Sequence, residues 1–160
     1  MDFRIFGLSS DPFRHLYGLT DEDLGRQGVI RYVADKSPGF PDRIGMRDVE
    51  IGERVLLLNH VCQPENTPYR TTHAIFVHEG AENTYDRVGE IPEVMRRRML
   101  SLRAFDAGHM MIDADLAEGE HVEPLIRRLL ANPDVAYIHA HNAKRGCYSG
   151  RIERARGYGR

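Results

Sequence analysis

The chain has 160 residues, about one domain's worth. At 41% apolar and 29% charged residues with a net charge of −2, it is neither a disordered chain nor a general nucleic-acid binder, which would need a basic surface. No apolar stretch approaches the ~20 residues of a membrane span, the longest strong run being Val55-Leu56-Leu57-Leu58, and no basic-then-apolar leader opens the chain. The expectation is one soluble cytoplasmic domain over residues 1–160, with no membrane partner.

Phe3 to Phe6 reads as a short edge-like strand ended by Gly7. Thr20 to Arg26 predicts a short helix: Thr20 caps it, Asp21, Glu22 and Asp23 suit the positive end of its dipole, and Gly28 stops it. Val29 to Ala34 is a second strand, and the prolines and glycine of 37–41 exclude regular structure. Glu53 to His60 is the strongest strand, apolar on both faces at its centre and therefore expected in the middle of a sheet. A polar loop over 63–69 separates it from a strand over His73 to His78, and 84–90 is too polar to assign. Pro92 opens a short helix through Arg98. Met99 to Asp106 and His109 to Leu116 form a hairpin turning at Ala107-Gly108. Val122, Leu125, Ile126, Leu129 and Leu130 fall at helical spacing and define the clearest amphipathic helix, about 120–131. Val135 to His141 and Cys147 to Glu153 make a last hairpin. Strands outnumber helices and tight turns join neighbours, so the predicted class is α+β: a mostly antiparallel sheet with one main helix packed on a face.

Two cysteines, Cys62 and Cys147, are too few for a disulfide framework and read as reduced thiols. The basic residues are lopsided, 20 arginines against Lys36 and Lys144, with clusters at Arg96-Arg97-Arg98 and at Arg151, Arg154, Arg156 and Arg160 that read as solvated faces.

The last hairpin carries the most chemistry. Side chains two apart in a strand share a face, so Tyr137, His139 and His141 point one way and Ile138 and Ala140 the other. A five-residue loop over 142–146 sets His141 opposite Cys147, an imidazole beside a thiol as an activated nucleophile requires, and His139 opposite Ser149. A four-residue loop instead sets Asn142 opposite Cys147 and turns both histidines to the other face. The same residues, with His60 or Cys62, could serve as zinc ligands, but no paired spacing motif fixes such a geometry, so no metal or cofactor is assigned. Arg70 and His73, beside Thr71 and Thr72 at the mouth of a strand, suit a carboxylate or phosphate. Asp113 and Asp115 share one strand face, where an acid pair could hold a divalent ion or simply keep a hairpin soluble. Phosphate-loop, dinucleotide and serine-elbow motifs are missing.

Four stretches together resemble the bacterial domain of unknown function 1203 family. They are Pro38-Gly39-Phe40-Pro41-Asp42-Arg43, Gly52 to Asn59, Pro68-Tyr69-Arg70-Thr71-Thr72-His73-Ala74-Ile75-Phe76-Val77, and His141-Asn142-Ala143-Lys144-Arg145-Gly146-Cys147-Tyr148. The resemblance implies a small stand-alone bacterial protein and no particular reaction. Asp42 departs from the family pattern, which has cysteine after the aromatic-proline pair, whereas Cys147 matches it. The leading expectation is a binding module for a small anionic ligand or a partner protein, a homodimer included, with Arg70, His73 and His139 as ligand contacts. A small enzyme using His141 and Cys147 as catalytic residues is the alternative, and a metal-binding protein using His139, His141 and Cys147 comes third.

Overall fold

The computed structural model describes residues 2–156. Nine strands form two antiparallel sheets rather than one. In chain order the strands are β1 (Phe3–Phe6), β2 (Ile30–Val33), β3 (Arg54–Gln63), β4 (Thr71–His78), β5 (Asp86–Val88), β6 (Met99–Phe105), β7 (Met111–Glu118), β8 (Tyr137–Asn142) and β9 (Tyr148–Arg154). The helices are α1 (Asp21–Arg26), α2 (Glu93–Arg96) and α3 (Val122–Ala131). The larger sheet runs β5-β1-β9-β8-β6-β7 and the smaller β2-β3-β4. The fold class is α+β, with α3 the main helix.

Local chemistry explains most of these elements. Thr20 caps α1 by accepting a hydrogen bond from the Asp23 backbone N–H at 3.1 Å, which satisfies one of the helix's orphan donors. Gly28 follows with φ 73°, a left-handed turn that a side chain would strain. The apolar stripe of α3 (Val122, Leu125, Ile126, Leu129 and Leu130) is buried against Leu100, Leu102, Ala104, Ile138, Ala140 and Ile152 of the larger sheet. Beyond the strand edges, the Asp48 carboxylate is wholly buried and held by Arg98 at 2.6 Å, with Arg97 at 3.4 Å. Arg97 and Arg98 thus anchor a buried acid rather than forming a solvated face. Arg154 likewise donates to the carbonyls of Leu130, Val135 and Asn132, and Arg160 lies outside the described residues.

Two expectations need correction. β1 is not an edge, because it pairs with both β5 and β9. The edge is β5, drawn from the polar segment that has no pattern of its own. Its three residues are all exposed, as edge strands tolerate, and Arg4 of β1 binds Asp86 at 2.6 Å. The last hairpin takes the four-residue loop. Asn142 donates to the Cys147 carbonyl at 2.9 Å, and Gly146, at φ 79°, closes the turn by donating to Asn142. A β-bulge then shifts the register, pairing Ala140 with Gly150 but His141 with Tyr148. His141 therefore faces Tyr148, not Cys147, and His139 faces Arg151, not Ser149.

Candidate functional site

The face of the larger sheet opposite α3 carries Arg103 and Phe105 from β6 and Tyr137, His139 and His141 from β8. It meets the smaller sheet. Gln63 of β3 donates to the Tyr137 hydroxyl at 3.0 Å, Tyr69 packs edge-on against Phe105, and His60 lies 6.3 Å from Tyr148, ring to ring. This contact closes a layer of polar and aromatic side chains between two sheets.

Three chemistry-bearing side chains converge there. The ligand atoms of Cys62, His73 and His141 all lie within 4.8 Å of one another. Each is delivered by a different strand. On β3 the alternation Leu56, Leu58, His60, Cys62 points one way, and a bulge between Val61 and Gln63 re-aims the strand at Cys62. On β4, His73 shares its face with Ile75 and Val77, whose strand partners are Leu58 and Leu56. On β8, the four-residue loop sets His141 against Tyr148, and the bulge at Ala140/His141 shifts His139 onto Arg151. Both bulges flank the trio, as such irregularities often do at functional sites.

The protonation of the trio follows from its surroundings. Burial pushes the His141 pKa down to about 4, against a smaller upward pull from the Gly146 carbonyl, with Arg103, His73 and Arg43 adding repulsion. His141 is therefore neutral at pH 7. Its Nδ1 lies 2.9 Å from the Gly146 carbonyl, which can only accept, so Nδ1 carries the proton and Nε2 the lone pair. His73 is also held below the usual imidazole value, first by burial and then by Arg103 and Arg43. Its Nε2 is buried without a hydrogen-bond partner. Burial raises the Cys62 thiol above its ordinary value, against smaller downward pulls from the backbone N–H groups of Cys62 and Gln63 and from Arg103, and its donation to the Thr71 carbonyl is long at 3.6 Å.

His139 stands beside the trio without joining it. Its ring is 6.5 Å from that of His141 and packs on Phe105, Tyr137 and Tyr148. Burial and the neighbouring His141 lower its pKa to about 3. His60 sits between the rings of Phe13 and Tyr148 and is likewise kept neutral by burial.

Other expected site residues lie elsewhere. Cys147 accepts from Arg43 Nη2 at 3.1 Å and from Asn142 Nδ2 at 3.6 Å, and no hydrogen bond joins it to His141 among the described residues. The four-residue loop turns its side chain away from the imidazole. Arg70 donates to the Pro64 carbonyl in its own exposed loop and does not reach His73. Asp113 and Asp115 both take Arg128, at 3.5 and 2.9 Å. Asp42 is buried and accepts from the backbone N–H groups of Ile44, Gly45 and His78, so it braces a turn. The residue that sequence reasoning did not weigh is Arg103. Its only signal was its place on the same strand face as Phe105, directly across from His139.

A family model described as "Protein of unknown function (DUF1203)" matches residues 39–154, a span that contains Cys62, His73, Arg103 and His141. No curated protein and no solved structure matches the chain. With nearly three quarters of its length inside that match, the chain belongs to the DUF1203 family.

Proposed function

We propose that the protein binds one transition-metal ion of the zinc class through Cys62, His73 and His141. One thiolate and two imidazoles are a ligand set that zinc accepts, and three protein ligands leave a fourth position open. Tetrahedral bonds of ~2.0–2.3 Å set ligand atoms ~3.3–3.8 Å apart, so closing the trio by about 1 Å completes the geometry. The observation that carries the reading is the buried, unpartnered His73 Nε2, on a residue that has a ligand atom within 4.8 Å of those of Cys62 and His141. A buried polar atom without a partner costs about 1–3 kcal/mol, and a metal bond removes that cost. The His141 Nδ1–H donated to Gly146 matches the second contact by which metal-bound histidines are oriented.

Both imidazoles already hold the neutral state a ligand needs. Cys62 does not, since burial favours its thiol. Metal binding near pH 7 should therefore release about one proton per ion, and affinity should rise about tenfold per pH unit until the thiol ionises unaided.

The test is metal content after purification without chelator, followed by zinc and cobalt titration of the emptied protein. About one equivalent per chain is expected, with a thiolate-to-cobalt absorption that Cys62→Ser abolishes. A hundredfold excess of zinc over its Kd should stabilise the fold by ~2.7 kcal/mol. A protein that stays empty, with an unchanged melting point in zinc, overturns the proposal.

A further inference from the structure

Arg103 gives the site a second half. It lies on β6 between His139 and Ala114 of the neighbouring strands, on the face that carries the histidines. Its charge bears on Cys62, His73, His139 and His141. Yet its one hydrogen bond is a long donation from Nε to Ser101 Oγ, 3.4 Å, and no carboxylate lies within ion-pairing distance among the described residues. Other part-buried arginines of the chain are held by acids. Arg31 is fixed by Glu79 and Asp21, Arg47 by Glu53, and Arg151 by Glu153. Arg43, the other guanidinium near the trio, is committed to the Pro41 and Tyr148 carbonyls and to Cys147, and it has Asp42 beside it.

Charge balance then asks for an anion. A divalent ion with one thiolate and two neutral imidazoles keeps a net charge of +1. Arg103 adds another, with no acid among the described residues pairing with it. In a half-buried layer such an excess is costly unless a counter-charge enters. A planar guanidinium beside an open metal position offers an oxyanion two kinds of contact: one oxygen on the metal, another on the N–H fork.

We infer that the open position of the Cys62–His73–His141 centre is a binding site for a small oxyanion, carboxylate or phosphate, with Arg103 as its second anchor. This inference rests on the metal reading above. It assigns the anion-binding role to Arg103 rather than Arg70.

The cobalt-loaded protein tests it, because the visible bands of cobalt respond to a change of its fourth ligand. Acetate and inorganic phosphate are titrated separately, with chloride as the control for a simple halide. A saturable band shift with acetate or phosphate, at concentrations where chloride has no effect, is expected. The one that binds more tightly identifies the class. Arg103→Gln should retain cobalt and weaken that oxyanion ~10- to 100-fold, the worth of a charged hydrogen bond. Arg103→Lys should fall between, since it keeps the charge and loses the fork. A cobalt spectrum unmoved by either oxyanion, or oxyanion affinity unchanged in both variants, overturns the inference while leaving the metal site standing. Failure to take up cobalt at all overturns the metal reading instead. Should Arg103→Gln not fold, the lysine variant against wild type carries the comparison.

Discussion

The two faces of the larger sheet are both buried, yet they are built from opposite chemistry. Strand β8 divides them within six residues. Ile138 and Ala140 join Leu100, Leu102 and the α3 stripe in an apolar core, while Tyr137, His139 and His141 enter the layer against the smaller sheet. The first face is what stability requires: apolar area removed from water, at roughly 25 cal/mol per Å². The second face works against stability. It keeps two imidazoles neutral by burial, leaves His73 Nε2 unpartnered, and holds Arg103 without a counter-ion. A protein that needed only a second core could fill this layer with leucine. Its polarity marks it as the place where stability yields to binding.

Truncation on each face is the strongest way to break that comparison. Leu129→Ala removes a wholly buried side chain from the α3 core and should cost ~2–5 kcal/mol in denaturant melts of the metal-free protein. His139→Leu replaces a buried imidazole, to which no hydrogen bond is made among the described residues, by an apolar group of similar size. It should cost less than ~1.5 kcal/mol or stabilise, and it should leave zinc stoichiometry unchanged because His139 is outside the trio. Equal losses for the two substitutions would show the polar layer to be ordinary core.

Acid sharpens the same contrast. His139 and His141 have folded pKa values of about 3 and about 4, both below the 6.5 of a free imidazole. Between those limits the unfolded chain binds protons that the native protein refuses, so stability rises with pH across the window. Read downward, stability is intact above about pH 7 and is lost from about 6.5 to about 4 through His141, and on toward 3 through His139. The full shifts are worth on the order of 3 kcal/mol for His141 and about 5 kcal/mol for His139, and the two overlap because the rings repel one another. Urea melts of the metal-free protein from pH 7 to 4 should show this decline, and His139→Leu should flatten it. A wild-type stability independent of pH in that range would mean that the histidines are not buried as neutral groups.

The unequal legibility of the two faces in the sequence has the same origin. The α3 core announces itself through local periodicity: Val122, Leu125, Ile126, Leu129 and Leu130 repeat at helical spacing, and the predicted span of about 120–131 overlaps the observed Val122–Ala131. Thr20 and Gly28 mark the ends of α1 by equally local chemistry. The alternation in β8 likewise put His139 and His141 on one face. Which partner meets them was not legible, because it depends on register and on packing between sheets. The four-residue loop puts His141 opposite Tyr148 rather than Cys147, and the bulge between Ala140 and His141, written in no single residue, then moves His139 onto Arg151. Cys62 and His73 reach His141 from strands of a different sheet, and no spacing along the chain encodes that meeting. Along the chain Arg103 is one of 20 arginines, and only its neighbours on other strands set it apart.

The smallest effect concerns the acidic pair on the larger sheet. Asp113 and Asp115 sit on β7 at its outer edge, on the side that α3 covers, and both are bridged by Arg128 of that helix. Their side chains and that of Arg128 are 40–57% exposed, so solvent screens the pairing. Asp115→Asn should therefore shift stability by no more than ~0.5 kcal/mol, and high salt should erase even that difference. It should leave cobalt binding and its oxyanion response untouched, since this pair lies across the sheet from Cys62, His73 and His141. Loss of a metal equivalent in Asp115→Asn would move the centre to the helix side and reverse the roles assigned to the two faces. Two acids bridged by one arginine need no ion to balance them, whereas among the described residues no acid pairs with Arg103 beside the trio, and that difference in charge is why the proposal puts the ion in the layer between the sheets.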